Sequence, residues 1–183
     1  VGQMVSAYSA FANKGIRTAP LFVTRIEDNE GNVISTFHPR MNEVISEESA
    51  AKMIYMLKGV IDGGTGGRIR YKYNIDCEMG GKTGTTNNDS DAWFMGFTPQ
   101  IVAGVWVGGD DRDIHFDTSM YGQGATMALP IWAYFMQKVF ADKSLDYDVN
   151  AKFDLPPHFN PCTMPADSIS NDVIDNDVEE IYE

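Results

Sequence analysis

Basic residues are scarce in this chain: 14 lysines and arginines face 26 aspartates and glutamates, for a net charge of −12. A nucleic-acid binder carries a basic footprint, so no nucleic-acid partner is expected. Long apolar runs are missing too. The longest, Ile101 to Val107, stops at Gly108 and Gly109, well short of the roughly 18–20 residues a membrane-spanning helix needs. Cysteine is almost absent. Cys77 and Cys162 match no zinc or Cys-x-x-Cys spacing, and a disulfide in an oxidising compartment and two unrelated thiols both stay open. His38, His115 and His158 are scattered without ligand spacing and are assigned nothing. There is no secretory leader, and residue 1 is Val. The chain therefore reads as excised or processed from a longer one, with any anchor expected outside it.

What is present is an ordinary globular composition. At 43% hydrophobic and 22% charged over 183 residues, collagen-like, low-complexity and wholly disordered readings drop out. The acidity is uneven. Residues 1–141 hold 12 basic and 15 acidic residues, net −3, whereas 142–183 hold 2 and 11, net −9. Residues 1–141 are expected to form the domain, and 142–183 a solvated, partly disordered acidic tail containing Pro156, Pro157, Pro161 and Pro165.

Met4, Val5, Tyr8, Phe11 and Ala12 recur at helical spacing, which predicts a helix from Gly2 to Lys14 with Gly15 at a left-handed cap. Leu21–Ile26 and Val33–Phe37 read as a hairpin turning through 28–32. Ser46 with Glu47 and Glu48 opens a second helix whose buried face is Ala50, Met53, Ile54, Leu57, Val60 and Ile61. The four glycines of 63–67 end it in a loop. Cys77–Thr86, Asp91–Thr98 and Ile101–Val107 are then three strands, and their short connections demand antiparallel neighbours. A last helix carries Ile131, Trp132, Phe135, Met136 and Val139, with Pro130 in its first turn. The class is α+β: an antiparallel sheet with flanking helices.

Several motifs are weaker than they look. Gly81-Lys82-Thr83 lacks the glycine that a phosphate loop needs at position 76, which is Asp. The carboxylates at 89 and 91 and at 110, 111 and 113 lack the glycine and terminal glutamate of an EF-hand and read as solvated turns. The glycines of 63–67 read as a chain reversal rather than an anion nest. No metal site is expected.

Lys82-Thr83-Gly84-Thr85-Thr86 on a strand is different. Gly84 leaves room for a ligand at the strand, and Thr83 and Thr85 share a side where two hydroxyls can meet a carboxylate. Lys82 falls on the opposite face and must curl its stem around the edge. The motif resembles the third active-site motif of penicillin-binding proteins and serine β-lactamases. With Gly64-Thr65-Gly66, Asp91-Ala92-Trp93-Phe94, Val105-Trp106-Val107-Gly108 and the opening Ala7-Tyr8-Ser9-Ala10-Phe11-Ala12-Asn13-Lys14-Gly15, the chain resembles the transpeptidase domain of class A penicillin-binding proteins over roughly residues 1–140. That resemblance implies a bifunctional glycosyltransferase/transpeptidase parent, membrane-anchored and acting on the outer face of the cytoplasmic membrane without metal or organic cofactor. Its substrates would be peptidoglycan stem peptides ending in D-Ala-D-Ala, and β-lactams would trap its serine. Lys82 and Thr85 would be catalytic, Thr85 through its backbone N–H in the oxyanion hole, with Thr83, Gly84, Thr85 and Thr86 binding substrate.

The sequence departs from that family in one respect. Its only Ser-x-x-Lys, Ser49-Ala50-Ala51-Lys52, precedes Lys82 by just 30 residues, and no Ser-x-Asn exists. Ser49 therefore reads as a first-turn helix residue and Lys52 as a solvated lysine. The chain is expected to be a piece of the domain, inert alone, that dimerises through its cut edge. A serine β-lactamase-like hydrolase and a non-catalytic wall-peptide scaffold are the alternatives.

Overall fold

In a computed structural model, residues 1–157 and 159–162 are described; His158 and the rest of the expected tail lie outside the described residues. The elements are α1 (Gly2–Ala12), β1 (Ile16–Thr18), β2 (Arg25–Glu27), β3 (Val33–Thr36), β4 (Met41–Glu43), α2 (Glu47–Asp62), α3 (Arg68–Tyr71), β5 (Gly80–Thr85), β6 (Asp91–Phe97), β7 (Val102–Gly108), α4 (Ser119–Gly122) and α5 (Ala128–Ala141). The antiparallel sheet runs in the order β5-β6-β7, flanked by helices. Two short two-stranded pairs, β1-β4 and β2-β3, stand apart from it.

The register explains which side chains go where. Gly81, Thr83 and Thr85 lie opposite Gly96, Phe94 and Ala92, so these six share one face; Lys82 and Gly84 lie opposite Met95 and Trp93 on the other. The first face meets α5. Phe94 stacks edge-on against Trp132 at 5.5 Å, and both are fully buried. The second face meets α1, with Tyr8 against Phe97 at 6.4 Å. Helix α2 packs along β5 and buries Ile54, Leu57 and Ile61. Ser46 caps it, its Oγ accepting from the Ser49 N–H at 3.2 Å, with Glu47 and Glu48 in the first turn; such a cap contributes about 1 kcal/mol.

The first helix packs Tyr8, Phe11 and Ala12 of its apolar stripe against the core, yet buries other residues more deeply. Its buried residues are Ser6 and Ala10, while Met4 is 43% exposed. The reason is the partner: β1 lies beside it, the Ser6 hydroxyl donates to the Thr18 carbonyl at 2.6 Å, and the Thr18 N–H donates to Ser9 Oγ at 3.0 Å. A satisfied hydroxyl is buried at little cost. Gly15 does end this turn, at φ +90°; a Cβ there would stand 2.0 Å from the Ile45 carbonyl oxygen.

Strands β1 and β4 and helix α3 are too short to carry a periodic signal. The hairpin β2-β3 forms, turned by Asp28, whose Oδ1 accepts from the N–H groups of Glu30 and Asn32. Part of the stretch expected to be a solvated tail is packed instead. Phe153 is 8% exposed and stacks on Phe97 at 5.6 Å, its N–H donates to Glu78 Oε2 at 3.3 Å, and Asp154 pairs with Lys14. These anchors are single residues at irregular spacing, which no periodicity reveals. Cys77 and Cys162 are both free thiols. Among the described residues, no helix is long and apolar enough to cross a membrane.

Candidate carboxylate-binding strand

Strand β5 is the outer strand of its sheet, and its far side meets no other strand among the described residues. The Thr86 N–H donates to the Asp91 carbonyl at 3.1 Å. Backbone groups alternate along an antiparallel ladder, so the N–H groups of Thr85 and Thr83 point away from β6. A row of outward N–H donors at a fixed spacing is what an anion or a developing oxyanion can use.

Lys82 lies on the face opposite the threonines and reaches back round the edge: its Nζ donates to the Thr83 carbonyl at 2.6 Å. The ammonium is thus held beside the same outward row. Thr83 and Thr85 face α5. The Thr83 Oγ1 is 2.7 Å from Thr65 Oγ1, and Thr83 is 9% exposed. The Thr85 Oγ1 accepts from the Gly124 N–H at 3.1 Å, which leaves its own proton free to donate, and the residue is exposed. Thr86 is placed differently. Its hydroxyl donates to Asp91 Oδ2 and accepts from the Asp91 N–H, each at 3.0 Å, so the turn consumes its one proton.

The Gly124 backbone closes on Gly84 so nearly that a Cβ on Gly124 would stand 2.6 Å from the Gly84 carbonyl oxygen, and a Cβ on Gly84 itself would come within 3.1 Å of Trp93 Cβ. Beside it a cleft of about 270 Å³ is lined by Met4, Tyr8, Lys82, Thr83, Gly84 and Trp93. Burial pushes the Tyr8 phenol above its usual range, so it stays neutral there. Trp93 leans on Trp106 at 6.5 Å, and the Trp106 indole N–H donates to Asp91 Oδ1 at 2.8 Å. That bond, followed by the Thr86 hydroxyl, holds the Asp91 carboxyl below the usual carboxylate value.

Ser49 and Lys52 belong to the first turns of α2 and do not line the cleft beside Gly84. Ser46 Oγ donates to Ser49 Oγ at 2.9 Å, and Lys52 pairs with Glu48 at 2.9 Å. The lysine side chain is only 19% exposed, so it is covered by its neighbours rather than solvated. Among the described residues, no group of three or more His, Cys, Asp or Glu is placed to hold a metal ion.

Two contacts had no role in the sequence reading. Thr65 entered only through the Gly64-Thr65-Gly66 motif and a glycine loop taken for a reversal, with no partner assigned to its hydroxyl. Gly124 lies 39 positions from Thr85, and nothing in its neighbourhood marks it.

Residues 2–131 match the family described as the penicillin binding protein transpeptidase domain. Penicillin-binding protein 1A of Aquifex aeolicus is 37% identical over 155 residues, covering 85% of this chain and 20% of that protein; the chain thus spans about a fifth of its length. Among solved structures, penicillin-binding protein 1A of Haemophilus influenzae superposes with a TM-score of 0.72 at 27% identity, over 85% of this chain and 28% of that one. The PonA1 protein of Mycobacterium tuberculosis in complex with penicillin V gives 0.65 at 26% identity, over 85% and 41%.

Proposed function

The chain belongs to the penicillin-binding protein transpeptidase family, and from that premise we propose that it supplies the carboxylate and oxyanion side of a serine D,D-transpeptidase cleft. The observation that carries this is the outer edge of β5: outward N–H groups of Thr83 and Thr85, the Thr85 hydroxyl with its proton free, and the Lys82 ammonium folded onto the same edge. All are donors or positive. Together they suit a ligand with a terminal carboxylate beside an electrophilic carbonyl, as in a stem peptide ending in D-Ala-D-Ala or a β-lactam.

In the reaction, a serine Oγ supplied from outside the 183 residues attacks the penultimate D-Ala carbonyl. The Thr85 N–H donates to the oxyanion, a contribution typically worth about 2.7–4 kcal/mol. The C–N bond breaks, D-alanine leaves with the proton, and an amine of a neighbouring stem peptide takes the acyl group. Lys82, Thr83 and Thr85 hold the terminal carboxylate, and Gly84 keeps the approach open. The intact enzyme acts at the outer face of the cytoplasmic membrane. The 183-residue chain alone is inert, since the residues of its one Ser-x-x-Lys, Ser49 and Lys52, are engaged with Ser46 and Glu48.

Intact mass spectrometry after exposure to benzylpenicillin tests the reading. A stable adduct on the full-length protein and none on the 183-residue chain is expected. No adduct on either overturns the transpeptidase assignment, an adduct lost within seconds points to a hydrolase, and an adduct on Ser49 means the nucleophile was misplaced.

A further inference from the structure

We propose that Thr65 is a positioning residue for the anion-binding edge of β5, turning the Thr83 hydroxyl proton toward the substrate carboxylate. The inference rests on the transpeptidase reading above and deepens it at the same site.

A threonine hydroxyl has one proton and two acceptor positions, whereas a carboxylate only accepts. At Thr85 the matter is settled by the backbone: the Gly124 N–H can only donate, so the Thr85 proton is available for a ligand. Thr83 faces a second hydroxyl, Thr65 Oγ1, at 2.7 Å, the usual O–H···O separation. Either can donate. Once a carboxylate reaches Thr83, a single arrangement satisfies every group: Thr65 donates to Thr83, and Thr83 donates to the carboxylate. Each bond in such a relay polarises the next. Thr65 thus does for Thr83 what Gly124 does for Thr85.

The loop carrying Thr65 is shaped to hold it there. The Gly66 N–H donates to the Val60 carbonyl at 2.9 Å, and the Gly67 N–H to the Gly64 carbonyl at 3.1 Å. A Cβ on Gly64 would lie 2.9 Å from Val60 Cα, and one on Gly66 2.7 Å from Ile61 Cδ1. The loop is therefore folded directly onto the last turn of α2. Thr65 is the one residue of 63–67 with a side chain, and that side chain meets β5. A chain reversal alone needs no hydroxyl.

The test uses the full-length protein in three forms: wild type, Thr65→Val and Thr65→Ser. Second-order acylation rates are measured with benzylpenicillin and with its methyl ester, in which the carboxylate is masked. Thr65→Val is expected to slow acylation by benzylpenicillin about three- to tenfold, one hydrogen bond's worth, while the ester reacts equally with both proteins. Thr65→Ser is expected to restore the rate. The ratio of the two probes is internal to each sample, so it reads the carboxylate effect even in a variant of lowered stability. An unchanged penicillin rate in Thr65→Val, or equal slowing with both probes, overturns the inference and leaves the transpeptidase reading standing. Absence of any adduct on the wild-type protein overturns both.

Discussion

At Thr85, the backbone and the side chain serve different partners. The N–H leaves the outer edge of β5, while the hydroxyl, on the same face as that of Thr83, is anchored by the Gly124 N–H. The next residue, Thr86, has no such freedom, because its hydroxyl is spent in the turn after β5. Asp91 is what spends it. Its carboxylate takes the Trp106 indole N–H and the Thr86 hydroxyl, and it titrates below its ordinary value of 3.8. A carboxyl whose pKa is lowered by folding contributes stability above its unfolded pKa, and loses it as pH falls through the folded value. At neutral pH, Asp91→Asn is therefore expected to melt below wild type, with the gap closing as pH falls from near 4 through the lowered value. Thermal unfolding followed against pH checks this; a gap independent of pH would remove the carboxylate from the account. The residue is only half-buried, so the effect is small.

Among the elements, β5 and its neighbours were legible because a three-stranded meander announces itself twice, by alternation and by short turns. Which face each helix would cover was not. Gly96 decides it on one side: a Cβ there would stand 2.5–2.8 Å from three atoms of the Trp132 indole. Helix α5 can lie this close only because position 96 has no side chain. Gly96→Ala is expected to cost about 1–3 kcal/mol, as overpacking does, and to push α5 off the sheet. Denaturant unfolding reads the loss, and an unchanged midpoint would contradict the packing. Helix α1 illustrates the opposite outcome. Its apolar stripe predicted the helix and, through Tyr8, Phe11 and Ala12, one face that packs on the core, but not the second buried face, where the hydroxyls of Ser6 and Ser9 find partners at Thr18 of β1. Apolar periodicity cannot register a polar residue that is buried because it is paired.

Across the whole molecule, residues 147–155 tie together parts distant in sequence. Tyr147 stacks on Phe140, the Asp148 N–H donates to Gln100 Oε1 at 3.1 Å, and the Phe153 N–H reaches Glu78, itself paired with Lys58. Phe153, Phe97, Ile54 and Leu57 form one cluster. Phe153→Ala is expected to destabilise the chain by about 3 kcal/mol, the lower end for Phe→Ala because the ring sits at the rim of the core. Asp154→Ala, which breaks the exposed pair with Lys14, should be nearly silent. Equal effects in thermal unfolding would mean that charge rather than packing holds the segment.

The sequence by itself determined the α+β class, the strand that bears Lys82-Thr83-Gly84-Thr85 and the family, because each is written in local patterns: periodicity, turn residues and short ordered motifs. It also separated Lys82 from the threonines, since alternation along a strand follows from its geometry alone. Only the tertiary structure decided what completes the site. Thr65 and Gly124 meet Thr83 and Thr85 from 18 and 39 positions away, and Phe153 meets Glu78 from 75. Contacts of that separation arise from how α2, the loop after β7 and the C-terminal segment pack on the sheet. A side chain's hydrogen-bond partner is a property of that packing, and no local pattern encodes it.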